Sequence, residues 1–163
     1  MKYNKIRKTD IANGPGIRVS IFMQGCAFHC KNCFNSETWD FDKGIEFTDD
    51  TIETVLELCS NPHISGLSIL GGEPMHPNNI IGTTRLAMAY KARYPDKPLW
   101  VWSGYTYEDL KDKDVLRYID VLVDGRYKDE LHDFRLKWRG SSNQRVIDIK
   151  KTLKKGSIIL YEE

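Results

Sequence analysis

The chain has 163 residues, which is enough for one domain with a buried core, and 40% of them are hydrophobic. Lysine and arginine total 24 against 23 aspartates and glutamates, so the charge predicts neither a nucleic acid nor a membrane surface as a partner. No apolar stretch reaches the roughly 20 residues that span a bilayer, and Met1–Lys5 begins no signal peptide. We therefore expect a cytoplasmic protein in which residues 1–163 form a single domain.

Short apolar segments alternate with helical patterns along the chain. Helices are predicted to begin at Asp50, Asn79 and Thr106, and Trp100 and Trp102 are predicted to lie in the core. Strands that alternate with helices indicate parallel βαβ units of the α/β class. A complete eight-fold barrel needs about 250 residues, so the pattern predicts a partial parallel β/α barrel with an open side. Strands are predicted at residues 17–23, 66–70, 99–103, 120–124 and 145–148.

Three cysteines follow the first predicted strand closely. Cys26, Cys30 and Cys33 form a C-x3-C-x2-C run. A [4Fe-4S] cluster is usually held by four cysteine thiolates, so a run of three cysteines leaves one iron open to a small molecule. The alternative is a structural zinc site, which needs four tetrahedral ligands and could take the fourth from His29 or Cys59. Zinc fingers usually pair two C-x2-C-like motifs, and this chain has no second one. Cys59 falls on the apolar face of a predicted helix, so the cluster is favoured over zinc.

A second motif follows the strand at 66–70. Gly71 and Gly72 let the backbone approach a ligand closely, and Glu73 could accept a hydrogen bond from an ammonium group. Ser103 ends the next predicted strand and Gly104 follows it. Because ligands bind at the carboxyl ends of parallel strands, we expect these residues to share one rim with the cysteine run.

With these motifs the sequence resembles the radical S-adenosylmethionine superfamily. Residues 13–18, Asn-Gly-Pro-Gly-Ile-Arg, look like the leader of the glycyl-radical-enzyme activases. The segments at 102–105, 123–127 and 138–145 are similar to those of the activases of anaerobic ribonucleoside-triphosphate reductase. The resemblance covers most of the chain, and it implies a single radical SAM domain with an incomplete barrel.

The resemblance also implies an activity. Cys26, Cys30 and Cys33 would hold a [4Fe-4S] cluster at which S-adenosylmethionine is reductively cleaved to methionine and a 5′-deoxyadenosyl radical. That radical would generate a glycyl radical on the catalytic subunit of the reductase. An external electron donor such as flavodoxin and a homodimer or a heterotetramer with the reductase are implied as well. No side chain acts as acid, base or nucleophile in this oxidoreductase scheme.

The same matching assigns the cofactor contacts. Gly71, Gly72 and Glu73 would hold the methionine end, and Ser103 and Gly104 would lie near the ribose or the carboxylate. Many relatives carry an aromatic residue directly before the third cysteine, where this chain has Asn32. The residues placed near the adenine are Asn32, Cys33 and Phe34.

Other functions remain open at the level of sequence. A ferredoxin-type electron carrier normally closes its cluster with four cysteines. A zinc-binding docking module and a radical enzyme with a small-molecule substrate are further alternatives. The segment at 139–144 is either a polar loop without a further role or, as its similarity to the activases suggests, a segment that docks the reductase or gates the site.

Overall fold

The computed structural model describes residues 1–163. Its strands are β1 (Lys2–Asp10), β2 (Arg18–Gln24), β3 (Ile45–Glu46), β4 (Gly66–Gly71), β5 (Leu99–Ser103), β6 (Val121–Asp124) and β7 (Arg145–Asp148). Its α-helices are α1 (Asp49–Leu58), α2 (Ile80–Arg93), α3 (Tyr107–Leu110) and α4 (Ile149–Lys155), and 3-10 helices cover Ser36–Thr38, Asp114–Tyr118 and Asp129–Leu131. Each predicted strand is confirmed to within a few residues. No helix combines the length and the apolarity that a membrane crossing needs.

All seven strands form one sheet in the order β3-β1-β2-β4-β5-β6-β7. The central strands β2, β4, β5 and β6 are parallel. At one side β1 pairs antiparallel with both β2 and β3, and at the other β7 pairs antiparallel with β6. The prediction of a partial parallel β/α barrel is therefore wrong, because the sheet is mixed and contains four parallel strands with antiparallel strands at both edges.

Two connections explain why the barrel prediction fails. A parallel neighbour needs a crossover connection, usually a helix. The chain enters β2 from β1 through the loop at 11–17, which is too short for a crossover, so the pair is antiparallel. Between β6 and β7 the only helix is the 3-10 turn at Asp129–Leu131, and β7 likewise returns antiparallel.

The sheet buries both of its faces, as successive residues of β5 illustrate. Leu99 and Val101 belong to the main core of 23 buried residues, which the sheet forms with α1, α2 and the 3-10 helix at Asp114–Tyr118. Trp100 points to the opposite face, as the two-residue period of a strand requires, and packs there with Val121 and Val123. The ring of Tyr161 lies 5.0 Å from that of Trp100 and helps to cover this second face.

A buried arginine fixes the loop that precedes β2. Arg18 is 1% exposed, and its guanidinium donates hydrogen bonds to Ser68 Oγ and to the carbonyls of Pro15, Leu67 and Pro98. Burial lowers the pKa of Arg18 to about 10, so the side chain still carries its charge at neutral pH. Arg18 thereby ties β2 to β4 and holds the loop at 11–17 against the amino ends of these strands.

Candidate functional site

One cavity of about 540 Å³ lies at the carboxyl ends of the parallel strands. Asn32 does not line it. The structure brings the three predicted segments together, whereas the binding roles of their residues stay predictions. All three predicted cluster ligands and the remaining predicted cofactor contacts line this cavity: Cys26, Cys30, Cys33, Phe34, Gly71, Gly72, Glu73, Ser103 and Gly104.

The cysteine loop begins where β2 ends and is anchored at its base. The backbone amide of Cys26 donates to the carbonyl of Trp39 at 3.1 Å, and Cys26 is buried while Cys30 and Cys33 are partly exposed. Burial raises the pKa of Cys26 and of Cys30, and the charge of Arg126 opposes this shift at Cys30. Because metal centres bind thiolates, loading the loop would release protons.

The donor set of this loop is three thiols, the number that leaves one iron of a cubane open and one fewer than a structural zinc site needs. No three His, Cys, Asp or Glu side chains are grouped closely enough to hold one metal ion. His29 stacks on Trp39 with ring centroids 4.5 Å apart, and Cys59 is fully buried in the main core. Neither of the residues that could complete a zinc site therefore lines the cavity.

Gly71, which ends β4, and Gly72, which follows it, allow this loop to pack on the base of the cysteine loop. Gly71 has φ +108°, in the region that favours glycine, and a Cβ on Gly72 would lie 2.5 Å from the carbonyl oxygen of Gly25. The amide of Glu73 donates to that same carbonyl at 2.8 Å. The close approach that the sequence predicted toward a ligand is, for Gly72, an approach to the protein's own backbone.

We expect Gly72→Ala to weaken both folding and cluster loading. Its Cβ meets backbone atoms that cannot rotate away, so overpacking should cost roughly 1–3 kcal/mol of unfolding free energy and displace the cysteine loop. The matched control is Gly156→Ala, where a Cβ has open space but φ is +82°. The control should lose stability and keep full iron loading. Urea unfolding and iron analysis measure the two effects, and equal iron loading in both variants would contradict the prediction.

Glu73 braces the loops after β4 and β5. It is 1% exposed, and its carboxylate accepts hydrogen bonds from the amide of Gly104 at 2.6 Å, Ser103 Oγ at 2.7 Å and the amide of Met75 at 2.9 Å. Burial raises the pKa of Glu73 to about 7, although these three hydrogen bonds oppose the shift. The structure thus gives Glu73 protein partners that the sequence did not suggest.

Asn32 has a structural environment that differs from the one expected beside an adenine. Its φ is +56°, a conformation that asparagine tolerates better than most residues, and its Nδ2 donates to Asp129 Oδ2 at 2.8 Å. The Tyr127 hydroxyl donates to the other oxygen of Asp129 at 2.9 Å. Asn32 therefore links the turn between the second and third cysteines to the segment that follows β6.

We call that segment, residues 125–144, the strap, and it is the part of the site that sequence patterns predict least. Gln144 accepts hydrogen bonds from the amides of Gly140 and Ser141, and donates one to the carbonyl of Gly125. These contacts hold the strap in a defined conformation. Trp102, predicted to be a core residue, packs partly buried against the Trp100 cluster and also lines the cavity, where its Nε1 donates to the carbonyl of Trp138. The signal for the strap was its motif similarity, from which only docking or gating was inferred.

A family model described as a 4Fe-4S single cluster domain matches residues 12–147. That match includes the cysteine loop, the loops after β4 and β5, and the whole strap. Together with the three thiols along one cavity, it defines the class of the protein as a single-cluster iron–sulfur protein.

Relatives place the chain more narrowly. It is 41% identical over 146 residues to the anaerobic ribonucleoside-triphosphate reductase-activating protein of Enterobacteria phage T4, covering 90% of this chain and 93% of that one. The protein of the same name from Vibrio cholerae is 40% identical over 148 residues, with 88% and 96% covered. The one from Escherichia coli K12 is 38% identical over 150 residues, with 90% and 97% covered. The chain belongs to the family of anaerobic ribonucleoside-triphosphate reductase-activating proteins.

Proposed function

We propose that this chain is a radical S-adenosylmethionine oxidoreductase that activates anaerobic ribonucleoside-triphosphate reductase by generating a glycyl radical on its catalytic subunit. The observation that carries the proposal is the single cavity shared by three cysteine thiols and the Gly-Gly-Glu loop, in a chain whose relatives are named as activators of that reductase. A volume of about 540 Å³ lies within the range of small-molecule sites.

The residues of the cavity divide into cluster ligands and cofactor contacts. Cys26, Cys30 and Cys33 would hold a [4Fe-4S] cluster. When bound, that cluster supplies the electron that cleaves S-adenosylmethionine to methionine and a 5′-deoxyadenosyl radical. Glu73 holds Ser103 and the loop after β5 in place, so that the Gly71–Glu73 loop and Ser103–Gly104 form one wall for the methionine end and the ribose.

The other end of the cavity would take the adenine. The backbone of Cys33 and the ring of Phe34 are the proposed contacts, with Phe34 held 5.2 Å from the ring of Tyr127. Asn32 acts one step away by fixing the turn through Asp129. Apolar side chains on the sheet face, Phe22 and Leu70 among them, line the cavity and would limit the water around the reacting region once the cofactor is bound.

The protein partners in this proposal are the reductase and an external electron donor such as flavodoxin. The cavity is open to solvent on one side, which suits a folded partner that inserts a loop. A homodimer, or a heterotetramer with the reductase, is the proposed assembly.

The test is a product assay on anaerobically reconstituted protein. The iron-loaded sample is reduced with dithionite, supplied with S-adenosylmethionine and assayed for 5′-deoxyadenosine, with and without the reductase. Electron paramagnetic resonance then detects the glycyl radical on the reductase, and Cys30→Ala protein serves as the control. Absence of 5′-deoxyadenosine would contradict the radical mechanism. Cleavage of S-adenosylmethionine without a glycyl signal would contradict the assignment of the reductase as the partner.

A further inference from the structure

Arg126 lies against the first half of the cysteine loop. It follows Gly125 at the carboxyl end of β6 and lines the cavity that the three cysteines line. The central carbon of its guanidinium is 4.4 Å from the centroid of the Phe28 ring, and Phe28 lies between Cys26 and Cys30 in the sequence. A guanidinium stacked on an aromatic face is held in a preferred geometry. The fold thus places a fixed positive charge beside the loop.

The cations of this cavity lack carboxylate partners. Arg7, Arg126 and Arg139 all line the cavity, and none takes part in any of the ten ion pairs of the chain. Glu73 is the one carboxylate among the lining residues, and its oxygens are engaged by three protein donors. The cavity therefore carries an excess of positive charge that the protein does not neutralise.

We propose that Arg126 raises the reduction potential of the iron–sulfur cluster held in the Cys26–Cys33 loop. One-electron reduction converts [4Fe-4S]²⁺ to [4Fe-4S]⁺, and the electron comes from an external reductant that is itself oxidised. The product is more negative by one charge, so a nearby cation stabilises it relative to the oxidised form. This inference rests on the proposed cluster ligands but not on S-adenosylmethionine or on the reductase.

Arg126 is solvent-exposed, which sets the expected size of the effect. Water and salt screen an exposed charge, so its influence on the cluster is moderate and falls as the ionic strength rises. Removing the charge should lower the reduction equilibrium constant about three- to tenfold, which corresponds to a negative shift of roughly 30 to 59 mV for a one-electron couple.

The experiment is a redox titration of the reconstituted full-length protein without S-adenosylmethionine. Dithionite is the reductant, and the signal of the reduced cluster in electron paramagnetic resonance is normalised to its maximum. Only loaded molecules contribute to that signal, so a variant that assembles less cluster still reports its potential. The variants are Arg126→Gln, Arg126→Lys and Arg126→Glu. The matched control is Arg135→Gln, which alters an exposed strap arginine that is already paired with Asp133.

The proposal expects a negative shift for Arg126→Gln, a larger one for Arg126→Glu, and potentials near the wild type for Arg126→Lys and the control. The gap between wild type and Arg126→Gln should also shrink at high salt. Equal potentials for Arg126→Gln and wild type would overturn the inference, as would an equal shift for Arg126→Lys. A wild type without a reducible cluster would overturn the proposed function as well.

Discussion

Cys30→Ala is expected to abolish the iron–sulfur chromophore. Cys30 is the middle ligand of a run that supplies only three thiols to the cavity, and it lines that cavity together with Cys26 and Cys33. Two thiolates are too few to retain a cubane that already lacks a fourth protein ligand. Anaerobic reconstitution followed by iron and sulfide analysis and visible absorption measures the loss, which should be nearly complete.

Cys59→Ala is the matched control for that variant. Cys59 is fully buried in the main core and does not line the cavity. Burial raises the pKa of its thiol to about 12, so this thiol stays protonated at neutral pH. The variant should lose about 1 kcal/mol of unfolding free energy, as a small cavity is left in the core, and keep its cluster. Retention of the cluster by both variants would show that the ligand assignment is wrong.

The strands could be predicted because their signal is local. Gly66–Gly71 and Leu99–Ser103 are short apolar runs, as strands of a covered parallel sheet are. β1 could not be found this way, since lysine, asparagine and arginine interrupt its apolar pattern. The antiparallel return of β7 depends on how the strap folds, which no short-range periodicity encodes. The barrel prediction therefore combined correctly placed central strands with a wrong direction for β7 and with no prediction of β1.

The functional site likewise contains local features that the sequence predicts and long-range contacts that it does not. The cysteine run and the Gly-Gly-Glu loop are contiguous motifs that follow strands, so chemistry and topology predicted that they would meet. The hydrogen bond from Asn32 to Asp129 joins residues that are 97 positions apart. The stacking of Arg126 on Phe28 spans a similar separation, and both contacts exist only after the strap has folded. Such contacts need the tertiary structure.

Glu73→Gln is expected to destabilise the fold because both carboxylate oxygens of Glu73 accept hydrogen bonds and the substitution removes one of these acceptors. The carboxylate accepts from two backbone amides and one hydroxyl, and an amide group would turn an NH₂ toward at least one of the donors of Met75 and Gly104. Leaving a buried donor unpaired costs about 1–3 kcal/mol. The matched control is Ser103→Ala, which removes one donor and leaves Glu73 with both amides. Urea unfolding followed by circular dichroism should show the larger loss for Glu73→Gln.

The pH dependence of that loss tests the state of the carboxylate. Burial raises the pKa of Glu73 from 4.5 to about 7, so the folded protein binds a proton that the unfolded chain has released. The stability gained from that proton is fully present below pH 4.5 and is lost as the pH rises through about 7. Glutamine does not titrate, so the wild type should lose stability relative to Glu73→Gln between pH 5 and pH 8, measured by unfolding at both values. A difference between the two proteins that does not change with pH would mean that the three hydrogen bonds outweigh burial and keep Glu73 ionised.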